Sequence, residues 1–229
     1  MCLAFTSFIA DEAQGFKELV TATLGGSVIE GLHDMHKCTH LVVNTFDLLR
    51  TVNLCIGISL PSLCIVTEEW IEACESAKAF VPTAPYLLSG VRASRPEAPY
   101  PWRFDATESR KRALEGTPCL YGHTFYVTAS KKPKPSELKL IIEAAGGVVL
   151  GWGMPATASS ASAASSSSAA SASSPPPIVV VSTEKEKAAW AASLKATHED
   201  GVVVVLLAEK LLSCVLQQSL DLGEHNLLA

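Results

Sequence analysis

The chain has 229 residues, 48% apolar and 18% charged, enough for one large domain or two of about 100 residues with sizeable cores. A net charge of −5 argues against wholesale binding to a nucleic-acid backbone, which needs a basic face. Seven cysteines are scattered without a Cys-x-x-Cys pair, several inside apolar runs, which suits a reducing compartment where a free thiol acts as a small hydrophobe.

The start, MCLAFTSFIADEAQGF, has no basic n-region and meets an acidic pair at Asp11 and Glu12, so it does not read as a signal peptide. No apolar run reaches membrane-spanning length. A soluble intracellular protein is expected, and Met1 leading straight into a strand is compatible with a small stand-alone chain.

In chain order, LAFTSF predicts a short strand and ADEAQGFKELVTATL a helix. Leu24-Gly25-Gly26-Ser27-Val28 is a turn in which the glycines fit a helix C-cap, a left-handed residue ending the helix and turning into the next strand. HLVVN is a strand, LLRTVNLCIGISL (residues 48–60) a helix apolar nearly all round, LCIV a strand and TEEWIEACESAKAF a helix. In the helix over 48–60, Arg50 and Asn53 stand three apart and share a face. Residues 91–117 form a linker, Pro-rich and extended at first, then a charged helix from about Asp105 to Glu115 capped by Asp105 or Thr107.

From residue 118 the order repeats: strand HTFYVT, helix KPSELKLIIEAAG, the turn Ala145-Gly146-Gly147-Val148-Val149, strand IVVVS, helix TEKEKAAWAASLKAT, strand VVVVLL and helix AEKLLSCVLQQS. Thr6 to Gly25 is 19 residues and Thr128 to Gly146 is 18. The run over 156–177, Ala/Ser-rich with a triple Pro, cannot bury enough to order itself and reads as a disordered insertion in the second unit. The expectation is α/β: two small three-layer units, 1–90 and 118–229, each a four-stranded parallel sheet flanked by helices.

The run TEEWIEAC, Thr67 to Cys74, resembles the last helix of a BRCT domain, in which a Trp is followed four residues later by a small residue. FTSF, RTVN, the linker helix ending at Ala113 to Gly116, FYVT and LLAEKLLSCVLQQ extend the likeness, so the whole chain resembles a tandem BRCT pair, of the kind that DNA-damage checkpoint mediators carry at their C-terminus. Trp70 has a physical role regardless: a large aromatic on a helix buries the most area, and Cys74 one turn on leaves room for it. The matching position in the second unit is Lys210 or Leu211, neither aromatic.

In tandem pairs that read phosphopeptides, the first unit holds phosphate with a Ser or Thr hydroxyl and the next backbone N–H at the end of the first strand. A Lys at the start of the second helix completes that pocket, and an Arg one turn earlier contacts the peptide. By this resemblance Thr6 and Ser7 supply the first pair, Arg50 the peptide contact, and Asn53 stands where the Lys belongs. A dianion wants charge-assisted donors and a helix N-terminus, and an amide brings a donor without the charge. Against this, Thr6 reads equally as a strand-end hydroxyl bonding its own backbone, and Arg50 as a snorkelling side chain. Lys17 on the first helix is the nearest substitute cation by sequence.

His33, His36, Cys38 and His40 lack the paired spacing of a zinc finger and read as a surface loop whose His36, Cys38 and His40 alternate to one side; no metal or cofactor is expected. The basic run Ser130 to Lys134 is broken by a Pro and reads as a solvated loop. No dinucleotide fingerprint, Walker loop or nucleophile elbow is present, so no enzyme is expected. The leading expectation is a nuclear phosphoserine-peptide adaptor of the DNA-damage response, its partner a phosphorylated protein tail. A phosphate-independent scaffold of the same fold comes next, and DNA-end or nucleic-acid binding last; the oligomeric state is not legible. Deleting residues 157–174 should leave soluble, folded protein, because closing a loop costs free energy that grows only slowly with its length; loss of soluble protein would place a packed element there.

Overall fold

The computed structural model describes residues 1–98, 101–128, 133–152, 178–182 and 203–222. The expected helix over TEKEKAAWAASLKAT, most of the basic run and the Ala/Ser/Pro run lie outside the described residues. The chain forms two compact units: Met1–Cys119 with Ser213–Ser219, and Leu120–Leu212 with Leu220–Ala229.

In the first unit, β1 (Cys2–Thr6), β2 (Ser27–Val28), β3 (His40–Val43) and β4 (Cys64–Thr67) form one parallel sheet in the order β2-β1-β3-β4. Alternation along the strands divides the core. Leu3, Val42 and Val66 join Val20, Trp70, Ile71 and Cys74 in one buried cluster, with Phe5 and Phe16 packed against it. This face is covered by α1 (Ala10–Glu18) and α3 (Glu68–Ala77). Leu41 and Ile65 point the other way, onto α2 (Val52–Ser59). A Cβ on Gly57 would sit 2.7 Å from Leu41 Cδ2, so glycine in the middle of α2 lets the helix lie close on the sheet.

Several elements differ from the sequence reading. The first helix is regular only to Glu18, and Leu19–Thr23 continue as a wider π-type turn. The helix expected over residues 48–60 begins only at Val52, because Thr51 is extended (φ −82, ψ 164) and its hydroxyl accepts the Leu54 N–H; Arg50 precedes the helix and shares no helical face with Asn53. α3 stops at Ala77, where Lys78 turns left-handed at φ 52. Residues Leu32–Lys37 form a 3-10 turn that buries Met35, so the His36–Cys38–His40 alternation does not arise.

The linker holds an antiparallel ribbon the sequence did not announce, β5 (Val91–Ala93) with β6 (Arg103–Asp105). It leads into α4 (Ala106–Glu115), capped by the Asp105 carboxylate accepting from Thr107 N and Glu108 N at 2.9 and 3.2 Å.

The second unit repeats the topology with β7 (Thr124–Val127), β8 (Val148–Trp152), β9 (Ile178–Ser182) and β10 (Val203–Leu207) in the order β8-β7-β9-β10. α5 (Pro135–Ala144) packs on β7 and β8, burying Leu138, Ile141 and Ile142. The helix α6 (Ala208–Gln217) follows β10 directly. Cys2 pairs with Ser27 as Thr124 pairs with Val148, which makes Thr128 the counterpart of Thr6. In both units the residues expected to be pure turn already enter a strand, at Ser27 and Val148.

The two Gly-Gly pairs divide one task alike. Gly25 and Gly146 are left-handed, at φ 68 and 85. Gly26 and Gly147 are needed for space: a Cβ would lie 2.8 Å from Val20 Cγ1 in one unit and 2.7 Å from both Ile142 and Phe125 in the other.

Trp70 is fully buried, its indole N–H donates to Val81 O at 3.0 Å, and its ring stacks between His40 and Phe80 at 5.0 and 5.9 Å. Cys74 Sγ accepts the Val81 N–H at 3.4 Å, so both residues fasten the chain that follows α3. In α6, Lys210 is exposed and Leu211 buried, so the position answering Trp70 in burial is Leu211. Trp70→Ala should cost about 3–5 kcal/mol, a large share of the 5–15 kcal/mol typical of a domain. Thermal melting checks it, and an unchanged midpoint would contradict the role given to the indole.

Candidate functional site

Thr6 ends β1 on the face that carries α2, at the C-terminal edge of a parallel sheet, where open α/β folds place ligands. Its buried hydroxyl lies 2.6 Å from Thr51 Oγ1, the oxygen that also accepts Leu54 N–H at 3.1 Å. Two hydroxyls carry two protons and their mutual bond uses one. Whichever donates, one proton of the pair is left for an outside acceptor.

Ser7 follows in the left-handed region at φ 67, which costs a residue with a Cβ about 1 kcal/mol or more. The conformation is held by Leu49 N donating to Ser7 Oγ at 3.0 Å, and Thr51 N donates to Leu49 O at 2.9 Å. The loop between is fastened at its far end: Asn44 Oδ1 accepts from Phe46 N and Asp47 N, and Glu68 accepts from Thr45 N and Oγ1 at 2.9 and 2.8 Å. The Ser7 backbone N–H meets no acceptor among the described residues.

Arg50 is partly buried between Leu49 and Thr51, and its Nη1 donates to Ser213 Oγ at 3.4 Å within the first unit. Burial pushes its pKa down, with the Cys55 thiol opposing. A guanidinium stays charged regardless. Asn53 is the second residue of α2, and its enclosed Oδ1 takes no donor among the described residues.

Of the residues named from sequence, Thr6, Ser7 and Arg50 gather around the start of α2 through Thr51 and Leu49, and Asn53 lies in the first turn. Lys17 is engaged elsewhere: its ammonium meets Glu30 Oε1 at 2.6 Å and holds that carboxyl below its usual range. The histidines diverge as well. His40 stacks on Trp70 with its pKa lowered by burial, and His36 Nδ1 bonds His33 O. No group of three or more metal-ligating side chains occurs among the described residues. Nor does any described helix have the length and apolarity to cross a membrane.

The bond that fixes the other end of α2 escaped the sequence reading. Arg110, on α4, donates Nη1 to Gly57 O, Ile58 O and Leu60 O at 3.4, 3.3 and 3.0 Å, and Nη2 to Pro61 O and Leu63 O at 3.2 and 2.7 Å. The last carbonyls of a helix have no partner within it and carry its negative pole, which a cation satisfies. In ESRKRALE this arginine looks like its neighbours, and nothing in the pattern distinguishes it.

With fold and site described, the comparisons agree on a class. Residues 118–226 match the family model of the BRCT domain. The fold is that of the BRCT5-BRCT6 domains of S. pombe Brc1, with a TM-score of 0.64 at 21% identity over 98% of this chain and 96% of that one. Rtt107p, solved in complex with a phosphorylated histone, has the same fold, with a TM-score of 0.60 at 8% identity over 97% of this chain and 89% of that one. Both units therefore have the architecture of a tandem BRCT protein. In sequence the chain is similar to PAX-interacting protein 1 of Bos taurus, 37% identical over 147 residues, which is 64% of this chain but only 14% of that protein.

Because one guanidinium serves five carbonyls, Arg110→Met should lower stability by about 3 kcal/mol, the upper value for a single charge-assisted bond. Arg110→Lys, which keeps the charge but loses the fork, should recover only part of it. Urea denaturation of the three proteins measures both.

Proposed function

We propose that this chain is a binding module of the DNA-damage response that reads a phosphoserine peptide, with Thr6, Ser7 and Asn53 at the phosphate and Arg50 on the peptide beside it. It acts as an adaptor in the nucleus and performs no catalysis. The observation that carries the reading is the Thr6–Thr51 hydroxyl pair at the N-terminus of α2, which has one uncommitted proton and stands beside a partly desolvated arginine. A phosphate oxygen suits that proton, the Ser7 N–H and the positive pole of the helix together. The complex of Rtt107p with a phosphorylated histone supports the reading by analogy of fold. FTSF and RTVN also suggest a likeness to the C-terminal pair of the mediator of DNA damage checkpoint protein. We place the domains at 1–90 and 118–229, joined by the linker.

A second reading, a phosphate-independent scaffold, is favoured by Asn53. Its Oδ1, unpartnered among the described residues, is an acceptor where a dianion wants a donor, and the amide does not carry the charge of the lysine in the family pattern. Asn53→Lys separates the two. It adds an ammonium where helix pole and backbone donors already favour an anion, and a charge-assisted bond is worth about 1.5–3 kcal/mol. Affinity for a phosphoserine peptide should rise roughly tenfold or more, and Thr6→Ala in that background should remove much of the gain. Calorimetric titration with phosphorylated and unphosphorylated peptides reads the result. Unchanged affinity in a folded Asn53→Lys protein would displace the pocket, and equal binding of both peptides by the native chain would favour the scaffold.

A further inference from the structure

Beside the loop that holds Ser7 lies a second cleft, of about 190 Å³, lined by Thr45, Phe46, Asp47 and Leu48 on one side and Val91, Arg92, Ala93 and Arg95 on the other. It lies below the roughly 300–1,000 Å³ of small-molecule sites, so it admits one side chain of a peptide rather than a drug-sized ligand. Its charges are uneven. Asp47 is engaged by Arg95 at 2.9 Å, an ion pair exposed enough to contribute little. Arg92 is left alone: its Nε is enclosed, and neither that atom nor the rest of the guanidinium has a hydrogen-bond or ion-pair partner among the described residues.

The ribbon explains the enclosure. Arg92 is registered opposite Phe104, which is buried and packs on Trp102, so the arginine shares a ribbon face with that aromatic pair while also lining the cleft. The cleft is mainly polar, with two exposed apolar side chains at its edge: Phe46 is 90% exposed, the most of any large hydrophobic residue described, and Val91 is 52% exposed. Among the described residues β5 pairs only with β6. A buried guanidinium N–H without an acceptor leaves a full desolvation penalty standing, and a planar oxyanion removes it.

We infer that this cleft is a docking site for an acidic peptide segment, with a carboxylate on Arg92 and the neighbouring aliphatic part against Phe46 and Val91. The net charge of its lining is +1 in a chain of net charge −5, so the attraction is local. No phosphate is involved, and the site stands or falls independently of the one at Thr6.

The test is a titration of the uniformly ¹⁵N-labelled full chain with a capped, unphosphorylated tetraglutamate peptide and its tetraglutamine counterpart, following the Arg92 Nε–H resonance and the Phe46 and Val91 amides. The glutamate peptide should move all three saturably and the glutamine peptide should not. Arg92→Gln should weaken binding roughly tenfold, as for loss of one charge-assisted bond. Asp47→Asn, a surface change that removes the competing carboxylate, should strengthen it. Absence of any shift, equal shifts with both peptides, or glutamate affinity unchanged in Arg92→Gln or weakened in Asp47→Asn would each overturn the inference.

Discussion

A single guanidinium decides where the second helix of the first unit lies. α2 has eight residues, too few to persist on its own, since a helix of that length barely offsets its nucleation cost in water. Arg110 closes one end by taking five carbonyls that would otherwise face the edge of the core, and Thr51 closes the other by capping Leu54. Between them Gly57 lets the helix settle on Leu41. With both ends fixed, the start of α2 has one position relative to β1, and Thr6, Thr51 and Arg50 follow from it. The linker helix is thus more than a spacer, because the residue that anchors the candidate site belongs to it.

The most legible strands were β3, β4, β9 and β10, short continuous apolar runs largely buried along their length, and the repeat was legible because both units end a helix on Gly-Gly. What the sequence did not disclose has physical causes. β2 has only two residues and carries no period of its own. The start of α2 was misplaced because Leu48 and Leu49 continue its apolar pattern; what stops the helix is the hydroxyl of Thr51, which holds its own backbone extended. β5 and β6 show no clean alternation, since Arg92 sits on the same face as a buried phenylalanine. At the site, residue types suggested Thr6, Ser7 and Arg50, whereas the hydroxyl pairing with Thr51 and the carbonyl clamp of Arg110 depend on partners 45 to 53 residues away.

The cysteines show how one residue type serves as plain packing here. Cys55 and Cys119 have thiols pushed up to about 12 by burial, as does Cys38, with Cys2 adding to the effect. At neutral pH these are thiols rather than thiolates, so they are poor nucleophiles and poor ligands. His40, stacked on Trp70 and lowered by burial, is similarly held neutral as part of the core surface.

The membership of Ser213–Ser219 in the first unit bears on the order in which the protein is made. Gln218 donates to Ser59 across 159 residues of sequence, and Arg112 donates to Gln217 O across 105. A ribosome adds roughly 5–20 residues per second, so these partners emerge several seconds after the linker has been completed. Until then the chain exposes the surface of α2 that Ser59 borders, in a nascent state open to chaperones and to wrong partners. Contacts of such long range slow the final closure as well, because a large loop must be confined before any bond rewards it. The first unit to be started is therefore not complete until nearly the whole of the second has been made.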